Sequence, residues 1–225
     1  MDEHSKKLPV DFRVFVWATL VCVCVLALRV VYAGVTGYLF LLWNLFLAWL
    51  PLLFADAAQL FYVHRNKVRF WLFFFLWLIF FPNAPYILTD FAHLRFWATV
   101  GVPTWFDFLM IGAFAVTGIL LGLASLQVAG KIFAERFGAF WSWFFLVAVS
   151  FLTGFGIYVG RYLRWNSWDV ILHPRALVTD IVGGGLDQPL AQYQPWIFTF
   201  LFGALLLSSY LVFSHFCHYR HRHQS

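Results

Sequence analysis

FFPNAPYILTDFAHLRFW, residues 80–97, decides how this chain is read. An apolar run of membrane grade meets Pro82 and Pro85 around Asn83, then ends in Thr89, Asp90, His93 and Arg95. Proline has no N–H to give a helix, so each one frees a carbonyl. Freed backbone groups and a side-chain amide are tolerated at membrane depth only inside protein or beside a cavity. The stretch therefore reads as a membrane helix broken at Pro82 and Pro85, with a polar site at the break.

The rest of the chain supports a bilayer setting. Hydrophobic residues make up 63% of the 225 residues and charged residues 11%, which is not the balance of a soluble domain. Segments at 12–33, 38–60, 69–89, 106–129, 138–160 and 195–215 are apolar over most of their length. About 20 residues suffice to cross the hydrocarbon core. The expectation is all-α: a polytopic protein with six transmembrane helices in a single transmembrane domain, 1–225. Arg29 and Asp56 lie near helix ends and are expected to snorkel to an interface. The first apolar run lacks a small-residue cleavage site and reads as a retained helix rather than a signal peptide.

Lysine and arginine placement orients the helices. With the N-terminus inside, the inner segments hold Lys6, Lys7, Arg13, Arg65, Lys67, Arg69, Lys131, Arg136, Arg220 and Arg222. The outer ones hold Arg29, Arg95, Arg161, Arg164 and Arg175. This favours N-in and C-in. The inner basic excess accounts for the net charge of +5 and calls for anionic lipid, not nucleic acid. Cys22, Cys24 and Cys217 are not placed for an extracytoplasmic disulfide. The inner loops HRNKVR (64–69) and KIFAER (131–136) are short, and the long connections, about 90–105 and 161–194, lie outside. Within the second, residues 173–182 read as a short interfacial helix, with Pro174 in its first turn and Gly183–Gly185 ending it. Gly118-x-x-x-Gly122 and Gly156-x-x-x-Gly160 allow close helix approach, within one chain or in a homodimer, the first being favoured.

Helical rise gives depth. Asn44 and Asn83 both come out about 9 Å below the outer surface of a ~30 Å core. Thr153 reaches a similar level, and Thr89, Asp90, His93, Asp107, Tyr158, Arg161 and Arg164 lie just above. The inference is a cavity open to the outer face, floored by Asn44 and Asn83. The competing reading is that the Asn83 amide only caps carbonyls freed at the proline break.

A second motif, GRYLRWNSWD (160–169), adds charge. Arg161 and Arg164 share a face if their helix continues. Beside Asn166, Ser167 and Asp169 they would form a fork for phosphate or carboxylate. Alternatively they pair with Asp90, Asp107 or Asp169. Asp90-x-x-His93 and Asp169-x-x-x-His173 have helical metal-ligand spacing, with Asp107 a further carboxylate, so a divalent metal ion is one candidate cofactor. His93 as general acid or base, oriented by Asp90, is another use of the first pair. His215, His218, His221 and His223 in the tail read as a metal tract or a basic tail at an anionic surface.

WNLFLAWLP (43–51), FFPNAPYILTDFAHL (80–94), TWFD (104–107) and GRYLRWNSWD together resemble family 1361 of the domains of unknown function, a group of bacterial polytopic membrane proteins. The resemblance runs from about residue 35 to 213 and implies a bacterial plasma-membrane location. It also implies that Asn44, Asn83, Asp90, His93, Asp107, Arg161, Arg164, Asn166 and Asp169 are the residues to test. It brings no activity with it. The functional expectation is an outer-leaflet site that binds or processes an anionic envelope lipid or lipid-linked intermediate. Asp90 or His93 would act as base, and Arg161 and Arg164 would hold the anion. The rivals are a small-solute or ion transporter, for which Asp56, Gln59 and Thr117 are the suggestive residues, and a non-catalytic subunit recruiting an extracytoplasmic partner.

Overall fold

Asp11 opens the first helix by accepting the Arg13 N–H at 3.0 Å, and α1 runs Phe12–Ala33. Gly34 closes it with φ of 64°, a left-handed conformation that suits glycine. The computed structural model describes residues 11–95, 102–183 and 194–222. Along them follow α2 (Phe40–Val63), α3 (Lys67–Phe80), α4 (Asn83–Tyr86) and a 3-10 segment, Ile87–Arg95. Then come α5 (Thr104–Phe137), α6 (Ala139–Tyr162), α7 (Asp169–Leu172), α8 (Pro174–Gly183) and α9 (Gln194–Arg222). The described residues are helices and turns, without a strand.

Six helical stretches are long and apolar enough to cross a membrane: Phe12–Ala33, Phe40–Val63, Lys67–Leu94, Thr104–Phe137, Ala139–Tyr162 and Gln194–Cys217. The chain is a multi-pass membrane protein. In its most apolar window α5 is 67% buried, against 17% for α1 and α9. That places α5 at the centre, and its sequence explains why: Gly112, Ala113, Ala115, Gly118, Gly122, Ala124, Ala129 and Gly130 let neighbours come close.

Around α5 two apolar clusters form. One joins Cys22 and Leu26 of α1 to Leu41, Leu45 and Leu52 of α2, and to Met110, Ile111 and Phe114 of α5. The other joins Phe70, Phe74 and Trp77 of α3 to Leu126 and Ile132 of α5, Leu146 of α6 and Tyr210 of α9.

Between α3 and α4 the backbone stays right-handed helical through Phe81 and Pro82, and Lys67–Leu94 forms one apolar stretch. α3 stops at Phe80. The Ala84 N–H bonds the Phe81 carbonyl at 3.2 Å, three residues back, rather than Phe80 four back. The Phe80 carbonyl instead accepts the Asn83 amide at 2.9 Å. Both glycine pairs face this junction within the chain. A Cβ on Gly118 would meet the Ala84 carbonyl at 2.8 Å, and one on Gly122 would meet the Ala84 methyl at 3.1 Å. From the other side, Gly156 faces Pro82 and Gly160 faces Tyr86.

Three expectations need correction. KIFAER is not a loop: α5 continues to Phe137, because its residues are good helix formers with no breaker before Gly138, where φ is 91°. α9 likewise continues to Arg222, so its basic end is helical. Arg29 does not snorkel; its side chain is 1% exposed, facing α5 on the stripe Cys22, Leu26, Arg29. Lys6, Lys7, Gly184, Gly185 and His223 lie outside the described residues.

Candidate functional site

The 3-10 segment after α4 turns Asp90 into the bundle, where it is fully buried. One carboxylate oxygen, Oδ2, accepts the Asn44 amide of α2 at 2.8 Å. The other, Oδ1, is buried without a hydrogen-bond partner. It lies 3.7 Å from the Arg161 guanidinium of α6 and 4.0 Å from His93 Nε2.

Arg161 Nη1 and His93 Nε2 are 2.9 Å apart. A guanidinium can only donate, so Nε2 must accept and the ring is the neutral Nδ1–H form. The His93 ring also packs on Phe40, with centroids 4.7 Å apart. Asp90, Asn44, His93 and Arg161 thus form one network drawn from three elements. Its charges are one carboxylate and one guanidinium, so it is neutral overall.

Beside it lies a groove of about 380 Å³ between α2, the α3–α4 junction and α6, roofed by α7 and α8. Its walls are apolar, including Leu47, Leu78, Ile79 and Phe155. Asn44, Asn83, Asn166 and Ser167 are its amide and hydroxyl-bearing members, with Tyr86 and Trp165. Trp43 and Leu152 on its rim are 53% and 51% exposed within membrane-crossing helices, so the groove opens toward lipid. Leu177 and Ile181 of α8, four apart, face into it. Trp165 Nε1 donates to Asp180 of α8 at 3.0 Å and ties the roof to the end of α6.

The amides are oriented from behind. Asn83 Nδ2 donates to the Phe80 carbonyl at 2.9 Å and to Ser167 Oγ at 2.8 Å. Both amide hydrogens are then used, leaving its carbonyl oxygen for a ligand. Asn44 spends one N–H on Asp90.

Residues 43–209 match the family described as "Protein of unknown function (DUF1361)". The chain belongs to this family. No curated protein and no solved structure matches the chain. The DUF1361 match takes in the whole groove and all four residues of the Asp90 network, but not Arg29 of α1.

Other candidates fall elsewhere. α6 ends at Tyr162 and Arg164 takes a left-handed φ of 61°, so Arg161 and Arg164 share no helix face. Arg164 is exposed. Asp107 pairs with Arg29 instead: Nε to Oδ1 at 3.1 Å and Nη2 to Oδ2 at 3.4 Å, both residues buried. Arg29 also stacks over Tyr38 at 4.6 Å. Burial, and then the Asp107 charge, push the Tyr38 hydroxyl up to about 12, so it stays protonated.

Asp169 accepts the Asn166 N–H at 2.8 Å and its amide at 3.2 Å, closing the loop before α7. Thr89 donates to the Tyr86 carbonyl at 2.7 Å, a local bond. The suggested metal ligands therefore do not converge: Asp107 is with Arg29, Asp169 is at α7, and His173 is exposed. Among the described residues no group of three or more His, Cys, Asp or Glu could hold a metal ion.

Two residues named in the sequence reading have partners it did not give them. Ser167 was visible in the 160–169 motif, but its bond to Asn83, 84 residues away, has no sequence signal. Arg29 carried one, because it falls on the buried face of α1.

Proposed function

We propose that this protein binds an envelope lipid or lipid-linked intermediate from the outer leaflet of a bacterial plasma membrane, with N- and C-termini inside. One observation carries the reading: a mostly apolar groove beside exposed faces of membrane-length helices also takes in three amides and a serine. A volume of about 380 Å³ accommodates a headgroup with the start of a chain, not a whole lipid.

The donor and acceptor pattern narrows the headgroup. Asn83 offers a carbonyl oxygen, and Ser167, already accepting from Asn83, has its O–H to give. Such a set suits hydroxyl-bearing heads, a sugar or a polyol, better than a bare anion. Arg161, next in sequence to Gly160 of the groove wall, is held by Asp90 and His93. Asp90 acts as a positioning residue that fixes Asn44, and the anion-holding pair Arg161 and Arg164 drops out of the reading.

Native mass spectrometry with lipid analysis tests this. Wild type is compared with Asn83→Leu, which removes one amide and its bond to Ser167, and Ile79→Trp, which fills the groove. The expected result is one lipid class retained by wild type and lost from both variants, with Arg164→Ala unchanged. Identical lipid profiles in all four proteins would sink the proposal.

A further inference from the structure

The opposite end of the bundle holds a second cavity, of about 450 Å³, between the end of α2, the start of α3 and the last turn of α5. Its lining includes Arg65, Lys67 and Arg136, with Glu135 the one carboxylate, over Tyr62 and Phe70. Among the described residues none of these four charges has an ion pair. Arg136 is held at the rim by its own packing, 5.7 Å over Phe70 and 5.4 Å over Trp71.

Arg65 is the telling residue. α2 ends in a Schellman turn: the Asn66 N–H reaches the Phe61 carbonyl at 3.0 Å and the Arg65 N–H reaches Tyr62 at 3.1 Å. Arg65 occupies the left-handed position of that turn, with φ of 55°. Glycine is usual there, because a side chain strains the backbone. An arginine at that place sacrifices backbone comfort, and no bond within the turn uses its guanidinium. Arg65, exposed at the turn, is one of the residues lining the cavity. Aromatic Trp71 and Phe137 are half-exposed beside it, the pattern of a membrane–water interface.

We propose that this cavity binds a phosphate-bearing anion at the membrane surface, supplied by an anionic phospholipid headgroup or by free phosphate. Three cations against one carboxylate give the charge, and an interfacial cavity gives the headgroup room. The site is separate from the lipid groove, which lies near the far ends of α2 and α6.

The test uses the whole protein in nanodiscs of equal phosphatidylglycerol and phosphatidylcholine, read by native mass spectrometry. A parallel titration with inorganic phosphate in phosphatidylcholine alone is read by phosphorus NMR. The variants are Arg65→Gly, Lys67→Gln and Arg136→Gln. Arg65→Gly suits the turn at least as well as arginine, so circular dichroism melting should show the fold intact.

Preferential phosphatidylglycerol retention, weakened about fivefold by each charge removed, assigns the site to the headgroup. Saturable phosphate binding lost in the same variants, with no lipid preference, assigns it to the free anion. No preference and no phosphate binding, or the same values in wild type and all variants, overturns the proposal. The loss on removing each charge should persist when Ile79→Trp has filled the groove, so the two sites fail independently.

Discussion

Two residues, Asp107 and Asp90, are buried carboxylates facing arginines, but the environments differ. Asp107 meets the Arg29 guanidinium edge-on, with two contacts of 3.1 and 3.4 Å. Removing one partner strands the other charge away from water. Arg29→Leu or Asp107→Asn should therefore destabilise by about 3–5 kcal/mol, measured by thermal unfolding in detergent. The double change Arg29→Met with Asp107→Leu should recover much of that loss. If each single variant melted like wild type, the pair would not be a structural bond. Asp90 is different because Oδ1 has no hydrogen-bond partner and Arg161 is shared with His93. Nitrogen-15 NMR of labelled histidine should show His93 as the neutral Nδ1–H form in wild type. In Arg161→Leu the tautomers should mix, since nothing then fixes Nε2. A protonated ring in wild type would contradict the 2.9 Å contact with a guanidinium.

At the scale of elements, the junction between α3 and α4 is a wedge between two glycine faces. Gly118 and Gly112 sit on the same helix and make a matched test. A methyl on Gly118 would lie 2.8 Å from the Ala84 carbonyl, whereas one on Gly112 would lie 3.7 Å from the Phe91 ring. Gly118→Ala should cost about 1–3 kcal/mol by overpacking. Gly112→Ala should be neutral or stabilise by up to about 1 kcal/mol, the helix preference of alanine over glycine. Equal melting temperatures for the two variants would mean that α5 does not pack tightly on the junction. The α6–α9 contact is closer still: a Cβ on Gly154 would lie 2.6 Å from the Thr199 carbonyl.

For the whole molecule, the question is which way the bundle stands in the bilayer. Arg65, Lys67 and Arg136 lie at the end where short turns join α2 to α3 and α5 to α6. The end with α7 and α8 carries the roof of the groove. A reporter fused after Arg175 should read extracytoplasmic, and one fused after Gly138 should read cytoplasmic. The reverse pattern would place the apolar groove on the inner side and the basic cavity on the outer one. Either way the two sites face opposite surfaces, because α2 and α6 each run from one to the other.

The amino-acid sequence determined the helical class and the six membrane-crossing stretches, because hydrophobic length against bilayer thickness is a one-dimensional property. It also carried family membership, since the motifs at 43–51, 80–94, 104–107 and 160–169 lie within or across the matched span. Helix ends were less legible where no breaker marked them, as at KIFAER, which α5 absorbs. Pairing was settled only in three dimensions. Nothing local says that Asp107 meets Arg29 while Asp90 meets Asn44 and Arg161, or that Ser167 meets Asn83. Those partners stand 46 to 84 residues apart, and which side chains meet depends on how each helix is rotated about its axis. Tertiary structure set that rotation through close glycine contacts at the proline junction, and so decided which charges were buried together and which polar groups line the groove.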